Sequence, residues 1–236
     1  SVTDAEAPPR GRPAPSTGAP WVLPKEAGWL ITAIAAVAPA WGLRGAPGPL
    51  YEEGFTVLHA QLVQAGQTPG VDFHALYGPL GPWLMSGWFR VFGSSIGAQR
   101  IVGALLLIAI VLGVRQLLRP WGRHAATVAA VVTSITVYSA GTLVAVAWWF
   151  GLAAVVWGVL LIRSESRNVY ALVGGALLFG LALGFRPDLA LAVLLAGGAA
   201  LWAGRSREQI AGMWRPVAAG FTAGLVPLAG YTLMVG

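Results

Sequence analysis

The chain has 236 residues, of which 56% are hydrophobic and 10% charged, with a net charge of +6 and no cysteine. An ordinary soluble domain has roughly a quarter of its residues charged, so this composition leaves too little polar surface for a water-soluble fold. The missing cysteines exclude a disulfide framework and a thiolate metal site. The basic excess is 14 Arg and one Lys, which in so apolar a chain reads as topological and not as a nucleic-acid footprint.

Residues 1–27 are rich in Pro, Ala and Gly, with Arg10, Arg12 and Lys25 among them. They lack the large apolar residues needed to bury a core and read as a flexible tail. An apolar run then covers 28–43. Its length also suits a signal-peptide core, with Ala38 and Ala40 near its end, but the long, weakly basic leader favours an uncleaved first span. Further runs follow at 101–118, 125–140, 143–162, 169–185, 189–203 and 216–235. Each is continuously apolar and does not alternate with a period of two, which predicts helices and not a barrel. The expected fold class is all-α: a polytopic transmembrane bundle of about seven spans. The chain begins without Met and stops at the end of its last apolar run, so it is expected to be the amino-terminal part of a longer protein.

Lys and Arg in short flanking loops set orientation. With the amino terminus in the cytoplasm, Arg10, Arg12, Lys25, Arg115, Arg119, Arg123, Arg163, Arg167, Arg205, Arg207 and Arg215 lie inside, and Arg44, Arg90, Arg100 and Arg186 outside. Eleven against four predicts a cytoplasmic amino terminus; the membrane is expected to be a bacterial plasma membrane. Glu52, Glu53, Asp72 and Asp188 then fall on the extracytoplasmic side.

Most of those acids lie in one long outer loop, 44–99, and long ordered loops are usually functional. After Gly45-Ala46-Pro47-Gly48-Pro49 come Tyr51-Glu52-Glu53-Gly54-Phe55. Phe55, Leu58 and Leu62 then share one helical face, as in a helix lying in the membrane interface. Gly66-Gln67-Thr68-Pro69-Gly70 ends it. The stretch Val71-Asp72-Phe73-His74-Ala75-Leu76-Tyr77-Gly78-Pro79-Leu80-Gly81-Pro82 leads into a second interfacial helix over 83–92, with Trp83, Trp88 and Phe89 as interface anchors.

The order of first span, acidic pair, amphipathic helix, Ala65-Gly66-Gln67-Thr68-Pro69, Asp72-Phe73, Gly78-Pro79-Leu80-Gly81, Trp88-Phe89, Phe92-Gly93 and Arg100 resembles the amino-terminal half of the GT-C glycosyltransferases. It is most similar to the protein O-mannosyltransferase and aminoarabinose-transferase group, chiefly over residues 51–100. That resemblance implies a polytopic enzyme of the cell envelope that moves a sugar from a polyprenyl-phosphate donor to a glycan, lipid or protein acceptor. The family's loop begins with Asp-Glu, whose carboxylate is taken as the catalytic base; the matching residues here are Glu52 and Glu53. Many relatives also carry a Lys beside the proline matched by Pro79. None stands here, and Arg186 is the substitute candidate for the donor phosphate.

Such a transfer needs a carboxylate to accept the acceptor's hydroxyl proton and positive or dipolar groups to stabilise the departing phosphate. Glu52 and Glu53 are the catalytic candidates, and Asp72, His74, Tyr77, Arg100, Arg186 and Asp188 the substrate-binding ones. Each has a plainer reading beside it. Glu52 and Glu53 suit a helix start, Asp72 and His74 a turn, Tyr77 and Trp148-Trp149 packing. Arg100 suits snorkelling to the interface, and Arg186-Asp188 an ion-paired helix connection. Glu52, Glu53, Asp72 and His74 also offer ligands for a divalent metal, although His59 and His74 lack metal-ligand spacing. The rival functions are a transporter or lipid-linked-sugar flippase, disfavoured because mid-span acids are missing, and a non-catalytic membrane assembly subunit. Walker A, GxGxxG, HExxH and nucleophile-elbow patterns are absent from the sequence.

Overall fold

A computed structural model describes residues 24–164, 168–203 and 205–235; most of the expected tail therefore lies outside the described residues. The described chain is all-helical, without strands. Three helical segments are long and apolar enough to cross a membrane, Glu26–Leu43, Ile96–Trp121 and Glu208–Val235, and shorter apolar helices cover Ala147–Arg163, Val169–Phe185 and Pro187–Trp202.

The first helix, α1 (Lys25–Leu43), buries Gly28, Thr32, Ala36 and Ala40 at four-residue spacing against later helices. Pro39 has no N–H to give to the carbonyl four residues back. That carbonyl, on Ala35, instead accepts the Ser134 hydroxyl at 2.5 Å, and Tyr138 donates to the Ala36 oxygen at 2.7 Å. Both donors belong to α5 (Arg123–Tyr138), so the proline of one helix is answered by hydroxyls of its neighbour. Next come α2 (Leu50–Gln64) and α3 (Leu80–Phe92), paired in the long loop where Gln64 donates to the Ser86 carbonyl. Helix α4 (Ile96–Leu118) opens on Ser95, whose hydroxyl accepts the Ala98 N–H, and runs through the middle of the molecule against α1, α5 and α6.

The run expected to be helical over 143–162 is helical only as α6 (Ala147–Arg163). Residues 142–146 are not helical because they cross α4 at Gly103, where a Cβ would overlap the Leu143 carbonyl. Gln99 secures the crossing by accepting the Ala145 N–H at 3.1 Å. Helix α7 (Val169–Phe185) is capped by the Asn168 side chain, and a 3₁₀ turn, Pro187–Leu189, leads to α8 (Ala190–Trp202). Arg205 donates to carbonyls ending α8 (Ala200, 2.5 Å) and α6 (Ile162, 2.6 Å), satisfying groups that helix ends leave open.

The last helix, α9 (Arg207–Val235), begins well before the expected 216. Ser206 and Gln209 exchange hydrogen bonds between each side chain and the other's N–H, a capping box that starts the helix before the apolar run does. Gly220 and Gly224 then press onto the Val173 and Leu177 carbonyls of α7. Small residues four apart permit this backbone approach, the usual device where apolar burial alone does not favour helix pairing.

Candidate active site

Helix α2 places Glu52 and Glu53 in its first turn, where the unpaired N–H groups of a helix favour carboxylates. Adjacent helical residues point about 100° apart, and the two carboxylates part company. Glu53 turns inward to 1% exposure. Arg100 holds it in a fork, Nε to Oε1 at 2.8 Å and Nη2 to Oε2 at 3.0 Å, while Nη1 donates to the Arg44 carbonyl at 2.8 Å. Gly48 lies so close that a Cβ there would stand 2.5 Å from Glu53 Oε1. Arg100 is thus a strut between α4, α2 and the end of α1. Its fork is committed to protein, so neither snorkelling nor phosphate binding describes its position.

Glu52 turns the other way and makes no side-chain hydrogen bond or ion pair among the described residues. It lines a cavity of about 280 Å³ with Tyr51, Phe55, His59, His74, Tyr77, Met85 and the chain at 145–147. Phe55 and Leu58, expected on the membrane-facing side of α2, are exposed, and the side packed against the protein carries Glu53 and Ala60.

His59 and His74 share the cavity wall. The His59 ring packs between Phe55 and Phe73, with centroids 5.1 and 5.0 Å away. Burial, with His74 adding a smaller repulsion, holds His59 below its ordinary value of 6.5. The folded state therefore binds fewer protons there than the unfolded one, and stability rises with pH across the window below 6.5. Thermal midpoints are expected to fall as pH drops from neutrality through that window, with a shallower fall in His59→Gln; an identical slope in that variant would contradict the assignment.

Asp72 does not reach the cavity. Its Oδ2 accepts the Thr68 N–H at 2.7 Å and closes the turn between α2 and α3. With Asp72 spent on the turn and Glu53 on Arg100, the proposed metal donors do not converge. Among the described residues, no three His, Asp or Glu side chains form a group able to hold a metal ion.

Tyr77 forms a wall common to this cavity and to a second, more open one of about 570 Å³ reaching Arg186, Asp188, Leu228 and Tyr231. The Arg186 guanidinium lies 4.5 Å from the Tyr77 ring centroid and 5.1 Å from that of Trp148, so both aromatics serve as cation platforms. Asp188 accepts from Arg186 Nε at 2.8 Å and Nη2 at 2.5 Å. The pairing holds the Asp188 carboxyl below its usual range and the guanidinium above its own. The loop meets this turn because the Gly78 N–H donates to the Phe185 carbonyl at 3.0 Å. A Cβ on Gly78 would collide with the Gly184 and Phe185 carbonyls, so Gly78→Ala is expected to cost about 1–3 kcal/mol and lower the thermal midpoint. An unchanged midpoint would mean that the contact is not maintained.

Glu52, His74 and Tyr77 therefore share one cavity, Arg186 and Asp188 its neighbour, while Glu53, Arg100 and Asp72 stand in the framework. Sequence reasoning passed over Tyr51, Phe55 and Tyr231 as site residues. The tyrosine and phenylalanine beside the acidic pair carried a local signal, the four-residue step that brings their rings to 4.3 Å; Tyr231 carried none. Comparison with protein-family models, curated proteins and solved structures finds no match to this chain, which leaves these residues and their geometry as the ground for a functional reading.

Proposed function

We propose that the chain is the membrane module of a GT-C-type glycosyltransferase, which moves a sugar from a polyprenyl-phosphate donor to an acceptor hydroxyl on the extracytoplasmic face. The observation that carries this reading is Glu52: a carboxylate without a partner among the described residues, on the wall of a cavity that Tyr77 divides from a second cavity bearing Arg186. In the reaction, Glu52 takes the acceptor's hydroxyl proton as the acceptor oxygen bonds to the anomeric carbon. The bond from that carbon to the phosphate oxygen breaks, and its electron pair leaves with the polyprenyl phosphate. Arg186, on its aromatic platforms and with Nη1 outside the Asp188 fork, offsets charge on that leaving group. His74 and Tyr77 bind the sugar and acceptor between the two. The test is transfer by the full-length protein from polyprenyl-phosphate mannose and polyprenyl-phosphate aminoarabinose, in wild type and Glu52→Gln.

The reading includes seven spans with the amino terminus inside and the loop carrying α2 and α3 outside. Support comes from the distribution of Arg and Lys and from helices over all seven apolar runs. Because the chain has no cysteine, single substitutions report sidedness cleanly. An impermeant thiol reagent is expected to label Ser94→Cys in intact cells and Trp121→Cys only after permeabilisation. The reverse pattern would invert the topology and remove the extracytoplasmic site.

A further inference from the structure

At the end of the bundle remote from both cavities, Arg115 is buried between α1, α4 and α5, at 5% exposure, with no carboxylate paired to it among the described residues. It lies 15 residues beyond Arg100 on the same helix, about 22 Å along the axis. Its Nε donates to the Thr32 hydroxyl at 2.9 Å, that hydroxyl donates to the Gly28 carbonyl at 2.8 Å, and the guanidinium lies 3.6 Å from the Trp29 ring centroid. Glycine at 28 leaves the space: a Cβ there would stand 3.0 Å from the Thr127 hydroxyl and 3.8 Å from Arg115 Nη2.

This cradle orients the guanidinium without neutralising it. Its two Nη groups donate to no described residue. The only fully buried side-chain nitrogen or oxygen lacking a partner among the described residues is Gln99 Nε2, so the Arg115 Nη groups still reach the surface. A cation this deeply set, with an open fork and no counter-ion among the described residues, is costly unless an anion joins it. Nearby residues add to its charge. Arg119 raises the local positive potential and, with Trp121, stands exposed on the 3₁₀ turn between α4 and α5; Arg123 follows at the start of α5. Exposed Trp29 and Trp121 beside arginines have the make-up of a membrane-interface belt, and basic pockets between helices suit lipid head groups.

We propose that Arg115, assisted by Arg119 and Arg123, binds a phosphate mono-anion at this end of the bundle, supplied by the phosphodiester of an anionic phospholipid. The Arg115 fork takes two phosphate oxygens, Trp29 covers the guanidinium face, and the two exposed arginines favour a head group of net negative charge. This site is independent of the transferase reading and of the cavities around Glu52.

The test titrates the full chain in neutral detergent with short-chain phosphatidylglycerol, short-chain phosphatidylcholine and inorganic phosphate, following bound lipid by native mass spectrometry and the thermal midpoint. Phosphatidylglycerol is expected to bind about fivefold or more tightly than phosphatidylcholine. Arg115→Gln is expected to lose about tenfold in affinity for it, and Arg119→Gln about fivefold. A midpoint rise with inorganic phosphate that vanishes in Arg115→Gln would support the same anion site while identifying free phosphate as a source. Equal binding of the two lipids to wild type, or an undiminished affinity for phosphatidylglycerol in Arg115→Gln, overturns the proposal. Should that variant fail to fold, Arg115→Lys keeps the cation but loses the fork. Wild-type affinity for phosphatidylglycerol in both Arg115→Lys and Arg119→Gln then overturns it.

Discussion

Replacing Glu52 with Gln is expected to lower sugar transfer about 10²–10⁴-fold, the range for loss of a positioned general base, while leaving the thermal midpoint close to wild type. Both parts follow from the same geometry. The Glu52 carboxylate has no protein partner among the described residues, so its removal orphans nothing, and it lines the cavity that Tyr77 shares with the Arg186 side. Glu52→Asp keeps the charge but withdraws it by one methylene, and an intermediate rate is expected. Transfer at the wild-type rate in Glu52→Gln would sink the catalytic assignment, and a large midpoint loss would show that Glu52 is structural.

Glu53→Gln is expected to behave in the opposite way, with a destabilisation of about 1.5–3 kcal/mol, typical for loss of hydrogen bonds between charged groups. The half-buried Arg100 guanidinium would lose a carboxylate that accepts from two of its nitrogens, and the contact to the Arg44 carbonyl would loosen with it. Transfer would fall as well, through displacement of α2 and hence of Glu52. The two causes are separable. Glu53→Met combined with Arg100→Met removes the charges together and is expected to recover much of the lost stability, because a well-packed apolar pair often equals or exceeds a buried ion pair. If Glu53→Gln unfolds at the wild-type midpoint, the Arg100 strut contributes little and the division of labour between the two glutamates fails. If it folds normally but transfers no sugar, the catalytic role passes to Glu53.

The contrast shows what could be read early and what could not. Two acids at the head of an amphipathic segment in the longest loop were visible as residues of interest, and Tyr77, Arg186 and Asp188 as polar or aromatic residues flanking apolar runs. Their assignment to cavity or framework was not visible. It depends on the rotation of α2 about its axis, and that rotation is tied to Arg100, 47 positions away. Likewise Asp72 serves its own turn, whereas His74, two residues on, faces the cavity.

By itself the sequence determined that the chain is helical and apolar, and where the bodies of its helices run, though not the starts of α6 and α9. Both properties follow from local composition: uninterrupted apolar stretches cannot leave backbone groups unpaired in an apolar surrounding, and a helix pairs them within the segment. It also marked the loop that holds the candidate chemistry. The tertiary structure alone decided that 142–146 leave the helix, because Gly103 and Gln99 meet them from α4. Only the fold brings Tyr77 to Arg186, through the Gly78 contact with the end of α7, and only the fold separates Glu52 from Glu53. These outcomes rest on contacts between residues far apart in the chain, which no periodicity or spacing within a segment encodes.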